Sequence, residues 1–242
     1  LKDHKTGRPE TILNPKAQDK ILELRRKNGC GALRIEQILR KQGFSISHRQ
    51  IEKIIIRAGL VKPNIKKQKP RKWVRYELPN PNDLWHTDWT ICPFTGFQLI
   101  AFIDDHSRYI VHAEYFTNAT TENTVLAFAR AIKQYGKPDA ILTDNGVQFN
   151  VHGLFEDFCN GNKIKHILGR VHHPQTNGKE ERWFRTYNEK RKEFSSFNEF
   201  VKWYNNRINL GLNRKEGVTP NDAILFKLRP ESLLGLFFRR FN

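Results

Sequence analysis

Apolar positions recur along this 242-residue chain with two different periods. In the first sixty residues the spacing is helical. Pro15 opens a segment with Ala17, Ile21, Leu22 and Leu24 on one face, ending at Asn28-Gly29. A second helix is predicted over Ala32–Lys41, with Ile35, Ile38 and Leu39 inward and Gly43 as its stop. Ser47 opens a third, Gln50 completes a capping box, Ile51, Ile54, Ile55 and Ala58 form its stripe, and Gly59 ends it. Three short helices with a Gly-containing turn before the last make a helix-turn-helix. From residue 81 the runs shorten to strand length: Leu84–Trp89, Gln98–Ile103 and Tyr109–Phe116, with Asp104-Asp-His-Ser-Arg as the turn between the last two. A helix (Thr120–Tyr135), a strand (Ala140–Thr143), a short helix (Leu154–Asn160) and a strand (Lys165–Leu168) follow. After the His172–Gly178 loop come a long helix from about Lys179 and another over Phe197–Arg207. Three strands in series, then alternation of helix and strand, predict an α/β layer fold with a mixed sheet. The expected organisation is a helix-turn-helix domain with a basic arm (1–61), a linker (62–80) and a larger α/β domain with a C-terminal helical extension (81–242).

Charge separates these parts further. The net charge is +17; residues 1–80 hold 21 Lys/Arg against 7 Asp/Glu (+14), and residues 81–242 hold 21 against 18 (+3). A basic module ahead of a near-neutral one points to a nucleic-acid grip. The N-terminal end of the third helix would meet base edges with His48, Arg49 and Gln50, with Lys53 and Arg57 further along on exposed positions. A plain protein–protein module is the alternative for such a helical hairpin. Residues 1–12, with Lys5-Thr-Gly-Arg-Pro, read equally as a phosphate- or groove-contacting arm and as a tail. The linker Lys62–Arg75 carries two prolines and seven Lys/Arg, among them Lys66, Lys67, Lys69, Arg71 and Lys72, and is expected to be extended and drawn to phosphate. With 38% hydrophobic and 28% charged residues the composition suits a soluble protein with a real core. No apolar run nears the ~20 residues of a membrane span, and no signal-peptide pattern opens the chain. Three scattered cysteines, Cys30, Cys92 and Cys159, favour a reducing compartment. A chain that starts at Leu1 and contains no Met is expected to be a fragment.

Three acids stand in informative contexts. Asp88 and Asp144 lie where apolar runs end, hence at or near strand ends, and Glu181 lies just past a Pro/Gly loop at the start of a helix. Carboxylates gathered from separate elements can hold two divalent cations ~4 Å apart, which clamp the attacking and leaving oxygens of a phosphoryl displacement. The passages Trp85-His-Thr-Asp-Trp-Thr, Phe102-Ile-Asp-Asp-His-Ser-Arg, Leu142-Thr-Asp-Asn-Gly-Val-Gln-Phe, His172-His-Pro-Gln-Thr-Asn-Gly-Lys-Glu-Glu-Arg and Trp203-Tyr-Asn-Asn-Arg…Thr219-Pro together resemble the catalytic core of the DDE integrase/transposase superfamily. The likeness extends to bacterial and archaeal insertion-sequence transposases whose core follows helix-turn-helix modules.

That resemblance implies a ribonuclease H-like core with a mixed five-stranded sheet. It makes Asp88, Asp144 and Glu181 both the catalytic residues and the ligands of two Mg²⁺ (or Mn²⁺) ions. In the family pattern the glutamate lies three residues after the loop glycine and before a basic residue, which selects Glu181, after Gly178 and before Arg182. A helical wheel agrees, since Glu180 falls in line with Trp183, Phe184 and Tyr187. Glu180 departs from the pattern, because an apolar residue belongs on that face. Fifty-five residues separate the aspartates and 36 separate Asp144 from Glu181, near the family's spacing.

The resemblance further implies binding of an element's terminal repeats in double-stranded DNA, 3′-end nicking and joining to target DNA without a covalent protein–DNA intermediate. A homo-oligomer on the DNA, a nucleoid-associated cytoplasmic location and a prokaryotic source belong to the same expectation. Gln175, Asn177 and Lys179 are candidate DNA contacts, and Asn145 a candidate for the site or for DNA. His172 and His173 could touch phosphate or simply be exposed. Asp104 and Asp105 are expected to be structural turn residues. A zinc-binding N-terminal module is excluded by the lack of paired His followed by Cys-x-x-Cys. The stretch Leu225–Asn242, rich in Leu and Phe, is expected to pack on the core, with an oligomer contact as alternative. Two rival readings stand: a catalytically inactive DNA-binding protein derived from a transposase, and a structure-directed nuclease of the same fold.

Overall fold

The computed structural model describes residues 15–61, 77–150, 153–169, 178–213 and 215–226. Outside them lie the basic arm, Lys66, Lys67, Lys69, Arg71 and Lys72 of the linker, and His172, His173, Gln175 and Asn177 of the loop. The C-terminal stretch after Phe226 lies outside them as well. The chain divides into two compact units, one of 1–69 with 213–217 and one of 70–212 with 218–242.

In the first unit, α1 (Pro15–Asn28), α2 (Ala32–Lys41) and α3 (His48–Arg57) keep the boundaries their end residues dictate. The Ser47 hydroxyl accepts the Gln50 backbone N–H while the Gln50 side chain accepts the Ser47 N–H, a complete capping box. Gly43 and Gly59, at φ of 84° and 67°, take the left-handed backbone that ends α2 and α3. Ala17, Ile21, Ile35, Leu39, Ile51, Ile54 and Ile55 meet in one small core. Ala58, expected in that stripe, is exposed, because it is the C-cap of α3 and has left the helical face.

The second unit is built on a five-stranded mixed sheet of order β3-β2-β1-β4-β5. The strands are β1 (Leu84–Ile91), β2 (Gln98–Asp104), β3 (Ile110–Phe116), β4 (Ala140–Thr143) and β5 (Lys165–Leu168). β1, β2 and β3 form an antiparallel meander; β4 pairs parallel to β1, and β5 parallel to β4. This is the mixed five-stranded sheet that the resemblance to the integrase/transposase core implies, with its ribonuclease H-like order. The helices are α4 (Thr121–Tyr135), α5 (Leu154–Gly161), α6 (Gly178–Lys190), α7 (Phe197–Asn206) and α8 (Pro220–Phe226), of which α8 was not anticipated from the apolar pattern.

Alternation along β2 shows why helices cover both faces. Ile100 and Phe102 point into a core with Trp85, Phe128, Phe149 and Phe155, whereas Leu99, Ala101 and Ile103 join Trp183, Tyr187, Phe200 and Tyr204. α6 and α7 therefore lie opposite α4 and α5, giving three layers. The Asn205 side chain of α7 accepts the Ile110 N–H and donates to the Ile110 carbonyl, tying the helix to the edge strand. β1 runs two residues past Trp89 because its ladder with β2 continues through Thr90↔Leu99 and Ile91↔Gln98. Among the described residues no helix is long and apolar enough to cross a membrane.

Candidate active site

Backbone pairing sets the first two carboxylates. β1 and β4 run parallel in the register Leu84↔Ala140, Trp85↔Ile141 and His86↔Leu142. Continued two residues further, the same register brings Asp88 beside Asp144, just past the end of β4. Each acid is oriented by a backbone donor: Asp88 Oδ1 accepts the Trp89 N–H at 2.7 Å, and Asp144 Oδ1 accepts the Gly146 N–H at 2.9 Å. The glycine of Asp-Asn-Gly has a steric reason. A Cβ on Gly146 would lie 2.9 Å from Asp144 Oδ1 and 2.6 Å from Gln148 Nε2, so any side chain there displaces the carboxylate or its neighbour. The Asn145 amide donates to the Gly169 carbonyl at 3.2 Å, joining the ends of β4 and β5.

The third acid comes from the first turn of α6, where adjacent glutamates face opposite ways. Glu180 is 2% exposed and shares the buried face with Trp183, Phe184 and Tyr187, whereas Glu181 is exposed. Burial, then the negative charge of Asp144, then that of Glu181 push the Asp88 carboxyl up to about 6. Asp144 and Glu181 thus both bear on Asp88, and that repulsion is what a divalent cation would relieve. The donors are all carboxylate oxygens, the hard ligands that Mg²⁺ prefers. As the side chains stand, no group of three His, Cys, Asp or Glu among the described residues is gathered closely enough to hold an ion.

Beneath the three acids lies a polar cluster that sequence reasoning did not find. Glu180 Oε1 stands 3.6 Å from His86 Nδ1, and neither atom has a hydrogen-bond partner among the described residues. Burial, then the charges of Asp88, Asp144 and Glu181, push the Glu180 carboxyl well above the ordinary range. His86 Nε2 meets Asp105 Oδ1 at 2.6 Å, Asp105 Oδ2 accepts the Leu78 N–H at 2.8 Å, and the Lys179 ammonium pairs with Asp105 Oδ1. Burial would raise the Asp105 carboxyl, but the His86 hydrogen bond and the Lys179 charge outweigh it and hold Asp105 well below the usual carboxylate range. Lys179, expected on DNA, therefore directs its ammonium inward to a buried aspartate. Asp105, expected to serve its own turn, instead reaches across to β1 and α6. Asp104 is a local turn residue, accepting from the Ser107 N–H and hydroxyl and from the Asn82 N–H. The one signal in the sequence was spacing, since His86 and Lys179 each lie two residues before a site acid.

On α3, considered by itself, Arg49, Lys53 and Arg57 are exposed as expected. Gln50 is committed to the capping box, and His48 Nδ1 lies 3.2 Å from Glu36 Oε2, so neither presents an uncommitted side chain. Glu52 and Ile56, not singled out from sequence, share the exposed face, with Ile56 at 56%.

The family model described as integrase core domain matches residues 79–174. The Gag-Pro-Pol polyprotein of squirrel monkey retrovirus is 34% identical over 110 residues, covering 44% of this chain and 6% of the polyprotein. A retrovirus-related Pol polyprotein from transposon 412 of Drosophila melanogaster is 31% identical over 90 residues, 37% of this chain and 7% of that protein. The chain thus spans less than a tenth of the length of the curated relatives it matches. The HTLV-2 integrase catalytic core domain, solved in complex with magnesium, superposes with a TM-score of 0.48 at 23% identity, covering 60% of this chain and 97% of that one. Residues 79–174, which span β1 to β5 and include Asp88 and Asp144, thus match the integrase core domain, and this match supports a place for the chain's core in the DDE integrase/transposase superfamily.

Proposed function

We propose that this protein is a DNA transposase or integrase that binds the ends of a mobile element, nicks them at their 3′ ends and joins them to target DNA. The observation that supports this reading is the parallel pairing of β1 with β4, whose register runs on from His86↔Leu142 toward Asp88 and Asp144, with Glu181 exposed on the first turn of α6. Asp88 and Asp144, anchored by backbone N–H groups, and Glu181, exposed on α6, are the residues that would hold two Mg²⁺ or Mn²⁺ ions. When bound, such ions lower the pKa of an attacking water or 3′-hydroxyl and stabilise the leaving oxygen. β1 carries Asp88, the turn after β4 holds Asp144 through the Gly146 N–H, and the buried aromatic face of α6 keeps Glu181 outward. Arg49, Lys53 and Arg57, together with the basic linker, supply phosphate contacts that fix the duplex without reading it. Pairing two element ends calls for more than one copy of the chain. The resemblance to insertion-sequence enzymes supports action on the DNA of a prokaryotic cytoplasm.

The test is incubation of supercoiled plasmid with a labelled duplex bearing free 3′-hydroxyls, with and without Mn²⁺. The expected result is metal-dependent nicked circles together with label covalently joined to plasmid. Nicking without label transfer, and faster on an RNA–DNA hybrid, would instead make it a structure-directed nuclease. DNA binding with neither activity would make it a non-catalytic descendant.

A further inference from the structure

Strand pairing and helix packing hold the three site acids in different ways. Asp88 lies on β1 and Asp144 directly follows β4, so the parallel ladder of these strands, which runs to His86↔Leu142, holds the two acids close to a fixed separation. Glu181 sits on α6, which meets the sheet through Trp183, Phe184 and Tyr187. Apolar packing is non-directional and leaves the first turn of a helix free to slide or rotate slightly. At that first turn the face that should pack carries Glu180, whose Oε1 has no hydrogen-bond partner among the described residues. Packing therefore fades where Glu181 needs its position set most closely.

We propose that Asp105 is a positioning residue for the third site acid, bracing the first turn of α6 against β1 by joining Lys179 to His86. The inference rests on the reading of Asp88, Asp144 and Glu181 as one metal-holding set. Asp105 is fully buried, and its Oδ2 is held by the Leu78 N–H at 2.8 Å. Its Oδ1 takes His86 Nε2 at 2.6 Å and also the Lys179 ammonium. His86 lies on the same face of β1 as Asp88, two residues before it. Lys179 lies two residues before Glu181. One carboxylate thus spans the strand of the first site acid and the helix of the third, through directional, charge-assisted bonds. The ammonium, 14% exposed, is matched by a buried charge, so removing either partner breaks the direct ionic link from α6 to Asp105. Groups that orient metal ligands from behind typically change metal affinity by about 10–100-fold when removed.

The test is Mn²⁺ binding by the full chain, followed by electron paramagnetic resonance, with DNA affinity measured separately in EDTA. Lys179→Met should weaken Mn²⁺ binding about tenfold or more, leave duplex affinity within about twofold, and be rescued by Lys179→Arg. Asp105→Asn, which keeps one acceptor oxygen for the Leu78 N–H, turns an NH2 toward His86 and loses the charge, should show the same loss by a different substitution. Asp88→Asn is the control. If it abolishes Mn²⁺ binding while Lys179→Met and Asp105→Asn bind as the parent does, the brace is overturned alone. If Lys179→Met loses duplex affinity and keeps Mn²⁺ affinity, Lys179 is a DNA contact and the brace is overturned again. If Asp88→Asn binds Mn²⁺ like the parent, the shared carboxylate site falls and the brace with it.

Discussion

Two neighbouring glutamates show how far a single residue's role depends on where its helix faces. Glu180 and Glu181 have the same chemistry, yet one is buried against His86 and the other faces out beside Asp88. This difference was legible beforehand, because a helical period places residue 180 with Trp183, Phe184 and Tyr187 whatever its polarity. The partner of Glu180 was not legible, since side chains 74 residues apart, such as Lys179 and Asp105, meet only once the sheet has formed. Asp88 yields a prediction with a definite sign. Its folded carboxyl titrates near 6 against an ordinary 3.8, so the folded state binds the proton more tightly than the unfolded chain. Ionised Asp88 therefore lowers stability fully above about pH 6, and the penalty vanishes as pH falls to 3.8. In EDTA, Asp88→Asn should melt higher than the parent at pH 7.5 and match it near pH 4. A divalent cation should raise the parent's melting temperature and not the variant's. Equal melting temperatures in EDTA at pH 7.5 would mean that Asp88 is not under strain from its neighbours.

Elements were readable where end residues punctuate them and less so where pairing decides. The Ser47 box defines α3 from sequence, and α4 keeps the expected Thr120–Tyr135 span to within one residue because Thr120 is its N-cap, each end satisfying terminal backbone groups locally. The length of β1 was understated, because a ladder partner and not local pattern extends it to Ile91. α8 was missed since seven residues give too little periodicity to recognise. Asn205 joins elements in a way no pattern reveals, and Asn205→Leu would leave the Ile110 N–H and carbonyl buried without partners. A loss of ~3 kcal/mol in denaturant unfolding is expected, at 1–3 kcal/mol for each orphaned group; a change below ~0.5 kcal/mol would show that the bond contributes nothing. Gly146→Ala tests the turn after β4. Its backbone angles suit alanine, with φ at −61°, but its Cβ would crowd Asp144. Metal affinity should fall while the melting temperature changes little, and the reverse pattern would count against Asp144 as a ligand.

For the molecule as a whole, charge distribution and carboxylate geometry divide the labour. The +14 carried by residues 1–80 is suited to gripping phosphate, whereas the near-neutral remainder carries the acids proposed to hold cations. Replacing Arg49, Lys53 and Arg57 with Ala should lower the salt dependence of duplex affinity by about 0.9 in slope for each phosphate no longer neutralised. An unchanged slope would mean that α3 does not touch DNA. The claim on which everything else rests is that Asp88, Asp144 and Glu181, and not Glu180, form one metal-dependent phosphoryl-transfer site. Its most direct measurement is nicking of supercoiled plasmid in Mn²⁺ by the parent, Glu181→Gln and Glu180→Gln, side by side. Activity abolished in Glu181→Gln and kept in Glu180→Gln is the predicted result; a Glu181→Gln protein that nicks as the parent does would contradict the account.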